Sequence, residues 1–255
     1  FRHRQPANKN PCLVPKKRVL RLSWIELTPN TDFDGWSEYS WPPGSPGPLV
    51  CPSGLWSVDP DVGSLYCSGA EGHTALLCDR VFADFRFHIE YRFAPQPETD
   101  EPRLNSGVYL RMDPPQHVMH QIETRGNNAG FLIGGSVREG RETLIRSLRP
   151  GADGWVDGAT HRPRDWGPLV SEPDTRPREM CRPDGSDLGE PAPVRIHPSG
   201  EWNTYDIETV GTRITIWTNG ILSCYTDQCD VPSGRIGVEA EYWPIEFREI
   251  RVTDM

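Results

Sequence analysis

Two segments near the middle of the chain carry side chains suited to binding or catalysis. In an extended strand, Asn105, Tyr109 and Arg111 share one face, and in the next segment Gln121 and Glu123 share one. If the two strands are neighbours, these five residues form a polar cluster with a carboxylate, a cation, two amides and a phenol. Such a set suits a polyhydroxylated ligand. The alternative is an ordinary solvated sheet face with a cross-strand Arg–Glu pair.

A metal site is the second chemistry that this region suggests. His117, His120 and Glu123 have metal-ligating side chains, but alternation along a strand turns His120 away from the other two. His120 is therefore predicted to be a core histidine. The turn from Asp59 to Gly63 resembles the start of a calcium loop but lacks the later ligands. With no convincing ligand set, the cofactor is unknown and a divalent metal is left open.

Other catalytic signatures are absent from the sequence. It contains no Gly-x-Ser-x-Gly elbow, no phosphate-binding loop and no dinucleotide fingerprint. It also lacks the tight Glu-x-Asp-x-Glu array that gives a sandwich glycosidase its two facing carboxylates. These absences leave the polar cluster as the candidate site.

The elements that position this cluster are predicted to be β-strands. The segment from Phe85 to Phe93 alternates apolar and polar residues strictly, and Asn219-Gly220 marks a hairpin turn. The final segment changes phase at Arg248 and Glu249, which predicts a β-bulge there. No long segment shows a helical period. The sequence therefore predicts an all-β fold, an antiparallel sandwich or jelly roll of short strands.

The region from 134 to 200 breaks this pattern. It holds 19 of the 50 Pro and Gly residues in 67 positions, together with Trp155 and Trp166. Structureless loops of this length are usually functional or disordered. The two tryptophans favour an ordered flap that binds substrate over the site, and disorder is the alternative. We expect a single domain over 23–255 that contains this loop-rich insert.

Charge is distributed unevenly along the chain. Residues 1–22 contain seven basic and no acidic side chains, so the rest carries 20 basic and 36 acidic ones, a net charge of −16. A domain this acidic is a poor binder of phosphate backbones, so nucleic acid is not an expected partner. The basic extension is interpreted as a solvated terminus, with a nucleic-acid or membrane-surface tail as the alternative. No apolar run is long enough to predict a membrane span.

The seven cysteines bear on the compartment. Cys224 and Cys229 flank a short polar turn, which predicts a hairpin disulfide. We therefore expect an oxidising setting, in a secreted or periplasmic protein. The alternative is buried free thiols in a reduced cytosol.

Several motifs together give the chain a family resemblance. They occur in order at Trp24–Trp36, Trp56–Cys67, Asp84–Arg92, Asn105–Arg111, Glu201–Ile207, Trp217–Gly220 and Gly234–Arg248. Through them the chain resembles the 3-keto-disaccharide hydrolase family, and the most specific match is the Asn-Ser-Gly strand that starts at Asn105. The chain departs from the family where Gln121-Ile-Glu123 exchanges the usual Glu and Gln, where Glu239 replaces a Gln, and in its longer insert.

This resemblance implies a concanavalin-like jelly roll that cleaves glycosides already oxidised to a ketone at sugar carbon 3. A base removes the proton on carbon 2, the resulting enolate expels the group on carbon 1, and water adds to the unsaturated sugar. The base needs a pKa near neutrality, and the enolate oxygen needs hydrogen-bond donors or a cation. On matching positions, we assign Glu123 as the base and Arg111, Asn105 and Gln121 as ligands of the ketone oxygen.

Further residues are predicted to bind substrate. They are Tyr109, Glu241 (a second acid or an acceptor for sugar hydroxyls), His88, Glu90, Trp155 and Trp166. His88 and Glu90 lie either on the face of the cluster or on the opposite sheet. Two other functions stay open on the same fold, a non-catalytic carbohydrate-binding module and a polysaccharide lyase or conventional glycosidase.

Overall fold

The computed structural model describes residues 23–40, 54–70, 74–95, 104–113, 118–124, 129–138, 141–145, 148–151, 154–157 and 196–255. Every helix-or-strand element in these segments is a strand. In chain order the strands are β1 (Ile25–Glu26), β2 (Trp36–Ser40), β3 (Trp56–Asp59), β4 (Ser64–Cys67), β5 (Thr74–Phe82), β6 (Phe85–Phe93), β7 (Asn105–Met112), β8 (Val118–Glu123), β9 (Phe131–Arg138), β10 (Arg141–Leu144), β11 (Leu148–Gly151), β12 (Gly154–Asp157), β13 (Asn203–Val210), β14 (Arg213–Thr218), β15 (Ile221–Thr226), β16 (Gly234–Glu241) and β17 (Ile245–Asp254).

The strands form two antiparallel sheets. The seven-stranded sheet has the order β10-β9-β8-β7-β16-β5-β2. The ten-stranded sheet has the order β12-β11-β15-β14-β13-β6-β17-β4-β3, with β1 paired to β17. One apolar core contains side chains of both sheets, among them Phe87 from β6, Val108 from β7 and Val238 from β16. The predicted antiparallel β-sandwich is confirmed.

Alternation along the strands works as the sequence predicts in the centre of the fold. On β6 every second side chain from Phe85 to Phe93 is buried, and β13 shows the same pattern. On β17 the register to β6 shifts between Arg248 and Arg251, and Glu249 adopts a φ of 51°. This is the predicted bulge. It lets apolar residues on both sides of the phase change reach the same core.

The insert is more regular than expected in its first part. Strands β9 and β10 extend the seven-stranded sheet, and β11 and β12 extend the ten-stranded sheet. The prediction of an irregular segment is therefore wrong for the described positions between 134 and 157. The abundance of Pro and Gly wrongly indicated irregular structure, because a strand accepts Pro where its N–H is not needed for pairing. Pro150 of β11 pairs with β12, while the register of β11 with β15 includes only Leu148. The rest of the insert up to residue 195, and the basic extension 1–22, lie outside the described residues.

The disulfide prediction is wrong for Cys224 and Cys229. Both are free thiols buried in the core, as are Cys67 and Cys78. Burial raises the pKa of the Cys67 thiol to about 12, which keeps it protonated at neutral pH. Closeness in the sequence did not produce a disulfide here, because both side chains pack into the apolar core as thiols. The remaining cysteines lie outside the described residues.

Candidate functional site

The candidate site is the outer face of the seven-stranded sheet, the face turned away from the core. Across this face Glu239 pairs in register with Gly107, and Gly107 pairs with Glu123. In the next row, Gly237 pairs with Tyr109 and Tyr109 with Gln121. The prediction that β7 and β8 are neighbours is therefore confirmed. The structure brings the backbone positions of Tyr109, Gln121 and Glu123 together.

Two carboxylates from β16 are buried on this face. Glu239 is 0% exposed and Glu241 is 4% exposed. Glu239 and Glu123 occupy one row, separated by β7, so their Cα atoms are two strand spacings or about 9.5 Å apart. The residue between them is Gly107, which has no side chain to fill the gap. Buried carboxylates are costly to desolvate and are concentrated at functional sites.

Asn105 and Glu241 form a pair at one end of this face. The Asn105 Nδ2 atom donates a hydrogen bond of 2.7 Å to the Glu241 Oε2 atom. The Asn105 Oδ1 atom is buried, and no described residue donates a hydrogen bond to it. The register of β7 and β16 places the two residues directly opposite each other. The pair is held in a fixed orientation and leaves one amide oxygen available to a hydroxyl donor.

An apolar patch continues the face towards the opposite end. Tyr39, Leu77, Tyr109 and Met112 pack together there, separate from the core between the sheets. At the edge of the patch, Arg235 donates from Nη1 to the Tyr39 hydroxyl over 2.9 Å. Because these residues are buried, the alternative of an ordinary solvated sheet face is wrong at these positions.

Arg111 does not belong to this face, and its predicted contact with the substrate ketone is wrong. Its side chain is 0% exposed, and its backbone has a φ of 47° next to a register shift in β16. The guanidinium donates to the carbonyl oxygens of Ala83, Gly211 and Val231 at 2.7 to 3.2 Å. It also contacts Asp84 at 3.2 Å. The irregular pairing ends the alternation of side chains along β7. Arg111 therefore points away from the outer face and hydrogen-bonds to loops at one end of the sandwich.

His88 and Glu90 also lie elsewhere. Both are on β6, in the ten-stranded sheet. There the His88 Nδ1 atom lies 2.7 Å from Asp206, and Glu90 accepts a hydrogen bond of 2.5 Å from Arg248. Of the two arrangements left open by the sequence, the structure thus shows the opposite sheet. Neither residue can contact a ligand on the outer face of the seven-stranded sheet.

Of the two tryptophans of the insert, Trp155 has its backbone in the other sheet from the candidate site. The backbone of Trp155 pairs with Pro150 in β12, the terminal strand of the ten-stranded sheet. Trp166 and His117 lie outside the described residues. His120 pairs with Gly134 in the row next to Gln121. No group of three or more potential metal-ligating side chains occurs within the described part of the chain.

Two residues of the face were not given a role from the sequence. Glu239 stood out only as a departure from the family pattern, and Arg235 was not singled out. Alternation along Gly234–Glu241 places both residues on the same face as Glu241, and this pattern could have indicated them. Among the side chains that the structure describes, Arg235 and not Arg111 brings a guanidinium to this face.

Several solved structures of carbohydrate-related proteins are similar to this chain. Solved structures similar to this chain include the carbohydrate-binding module CBM66 from Bacillus subtilis, at 9% identity and a TM-score of 0.46, covering 86% of this chain and 96% of that one. Another is a putative glycosyl hydrolase from Parabacteroides distasonis, at 14% identity and a TM-score of 0.48, covering 91% of this chain and 100% of that one. A search of curated proteins finds no match.

The family model gives the decisive result. The model of the 3-keto-alpha-glucoside-1,2-lyase-like domain matches residues 23–253. The chain belongs to this family, and the resemblance predicted from its motifs is confirmed. Membership supports a function that involves carbohydrates. In the described segments no helix has both the length and the apolar character needed to cross a bilayer.

Proposed function

We propose that the outer face of the seven-stranded sheet cleaves 3-keto-glycosides by elimination and hydration. The observation that carries this proposal is the pair of buried carboxylates, Glu239 and Glu241, on the same face as the backbone position of Glu123. A sugar oxidised at carbon 3 needs only a base, an acid and donors to its oxygen atoms. Family membership supports the same substrate class.

The reaction divides among the residues of this face as follows. Glu123 accepts the proton from carbon 2, and the electron pair of that bond forms the enolate of the 3-ketone. Re-formation of the ketone expels the oxygen on carbon 1, which takes a proton from the carboxyl group of Glu239. Water then adds across the carbon 1–carbon 2 double bond: Glu239 accepts a proton from the water as its oxygen bonds to carbon 1, and Glu123 donates its proton to carbon 2. Both carboxyl groups are returned to their starting states in this second step.

Orientation of the sugar is assigned to the Asn105–Glu241 pair. The Asn105 Oδ1 atom accepts a hydrogen bond from one sugar hydroxyl, and the second carboxylate oxygen of Glu241 accepts from another. Tyr109, in the row beside Gln121, supplies an apolar wall and a phenol. Because these groups are already held in place, substrate binding does not have to order their side chains.

The departures from the family pattern at positions 121, 123 and 239 lie in two neighbouring rows of the sheet. Positions 123 and 239, where the resemblance leads us to expect Gln, both hold Glu, and both are in register with Gly107. Position 121, where we expect Glu, holds Gln in the neighbouring row. Relative to the family pattern, the carboxylate on β8 is therefore one row further along the strand, at position 123. Glu239 adds a second carboxylate in that same row, on β16. We infer that the acid and base of this chain act from one row.

The test is product formation from matched substrates. The protein is incubated with a panel of 3-keto-glycosides and with their unoxidised parents, and products are measured by mass spectrometry. Glu123→Gln and Glu239→Gln are expected to lower kcat at least about 100-fold, the usual contribution of a general acid or base. Glu246→Gln, on the ten-stranded sheet next to Arg92, is the matched control and should retain activity.

The outcomes separate the functions that the sequence left open. Binding of sugars without turnover of any 3-keto-glycoside would show a carbohydrate-binding module. Turnover of the unoxidised parents alone would show a conventional glycosidase or lyase. Full activity in both Glu123→Gln and Glu239→Gln would remove the proposed acid and base.

A further inference from the structure

A second groove lies on the opposite side of the molecule, on the outer face of the ten-stranded sheet. Its volume is about 400 Å³, and strands β6 and β13 form its floor. The indole groups of Trp24 and Trp217 line it, together with Arg86, Asp206 and Glu208. It belongs to a different sheet from the candidate site, so it is not a part of that site.

The two tryptophans are accessible to a ligand. Trp24 precedes β1 and is 45% exposed, and Trp217 on β14 is half-buried in register with Asp206. Trp202, directly before β13, serves as a comparison. The Trp202 ring has the guanidinium groups of Arg92 and Arg248 stacked on it at 4.5 and 3.9 Å. Trp24 has one more distant guanidinium, that of Arg251 at 5.4 Å.

The charged groups of the groove are already paired. Arg86 contacts Glu208 at 2.8 Å, and His88 contacts Asp206 at 2.7 Å. The two carboxylates nevertheless stay partly open to solvent, with 32% of the Glu208 side chain and 49% of the Asp206 side chain exposed. The groove thus combines an arginine with acceptor oxygens that hydrogen bonds hold in place. This favours a neutral, hydroxyl-rich ligand over a cation, because a cation would have to compete with Arg86.

We propose that this groove binds a neutral sugar residue of an oligosaccharide or polysaccharide, as a second and non-catalytic site. The C–H face of a pyranose ring stacks on an indole, and its edge hydroxyls donate to Asp206 and Glu208. Apolar walls with a few fixed polar groups are typical of small-ligand sites. The site holds a glycan on one sheet while the other sheet is free to act.

The experiment is affinity electrophoresis in native gels that contain laminarin, xyloglucan or soluble starch. Wild-type protein is expected to migrate more slowly in at least one of these gels than in a gel without polysaccharide. Trp24→Ala and Trp217→Ala should each raise the dissociation constant for the polysaccharide about tenfold or more. Thermal melts verify that both variants are folded. The near-isosteric Glu208→Gln should also weaken binding without loss of packing.

Two controls make the result specific. Tyr66→Ala removes an exposed aromatic side chain of the same sheet outside the groove and should leave the retardation unchanged. Glu239→Gln should also leave it unchanged, so failure of the catalytic proposal would not affect this test. The proposal is overturned if wild-type protein is not retarded in any gel, or if folded Trp24→Ala and Trp217→Ala are retarded normally. Binding of tetramethylammonium in place of the sugars would overturn it as well.

Discussion

Replacing Arg111 with alanine should destabilise the fold and not act directly on catalysis. The guanidinium is completely buried and ties β7 to the turn before β6, through Ala83, and to the turn after β13, through Gly211. It also holds Val231, which precedes β16. Removal of the side chain leaves these carbonyl groups without their closest donors.

The magnitude follows from these contacts. A hydrogen bond to a charged group contributes about 1.5–3 kcal/mol, and the Gly211 and Val231 carbonyls lose such bonds of 2.7 and 2.8 Å. The Asp84 contact adds little because that carboxylate is partly exposed. We expect a loss of about 4 kcal/mol in the free energy of unfolding, which in a protein of this size lowers Tm by roughly 10 °C.

The assay is urea and thermal unfolding of wild-type protein, Arg111→Ala and Arg111→Lys. Lysine keeps the charge but offers donors from one point, so it should recover only part of the loss. Arg213→Ala is the control, because Arg213 is exposed beside the Tyr225 ring and its loss should cost under about 0.5 kcal/mol. A normal Tm for Arg111→Ala together with a loss of turnover would refute this reasoning and return Arg111 to the active site.

Three further predictions concern the core. Because burial raises the pKa of Cys67 from 9.0 to about 12, the unfolded state gains by ionisation as pH rises above 9. Between pH 9 and 12 the free energy of unfolding of the wild-type protein should then fall by about 1.4 kcal/mol per pH unit relative to that of Cys67→Ala. Identical pH dependence of the two proteins in urea titrations would contradict this. Cys224 and Cys229 should be alkylated after unfolding without reductant, and alkylation only after reduction would reveal a disulfide. Gly130→Ala should cost about 2 kcal/mol or more, since its Cβ would lie 2.3 Å from another side-chain atom at a φ of +79°. Gly220→Ala, with open space at a similar φ, should cost about 1 kcal/mol in the same unfolding assay, and equal losses would argue against the steric account.

Much of the fold is encoded in local patterns. Strict alternation defines β6, and the phase change at Glu249 correctly predicts a bulge, because both features depend only on which side chains seek the core. The neighbouring placement of β7 and β8 also follows from their short connection. For these elements the sequence alone was sufficient.

The failures have a common cause in long-range pairing. Alternation predicts Arg111 on the face of Tyr109, but the register shift between β7 and β16 puts an extra residue in β7 and ends that alternation. His88 alternates correctly within β6, and only the pairing of β6 with β13 and β17 decides which sheet it joins. No local pattern reports these partners. The same holds for Arg235, which the pairing of distant strands brings to Tyr39.

The compartment stays a prediction. The secreted or periplasmic location was argued from cysteines, and the four described ones are free thiols. These free thiols remove one support for export.

The most direct test of the proposed chemistry is the fate of the hydrogen on carbon 2. A 3-keto-α-glucoside is cleaved in deuterium oxide, and the sugar product is analysed by NMR and mass spectrometry at early times against a buffer control. Elimination followed by hydration predicts that the product carries solvent deuterium at carbon 2, with a rate that depends on Glu123 and Glu239. Cleavage that leaves the original hydrogen on carbon 2, and that is not slowed when carbon 2 of the substrate carries deuterium, would contradict the account, because the bond to carbon 1 would then break without proton abstraction.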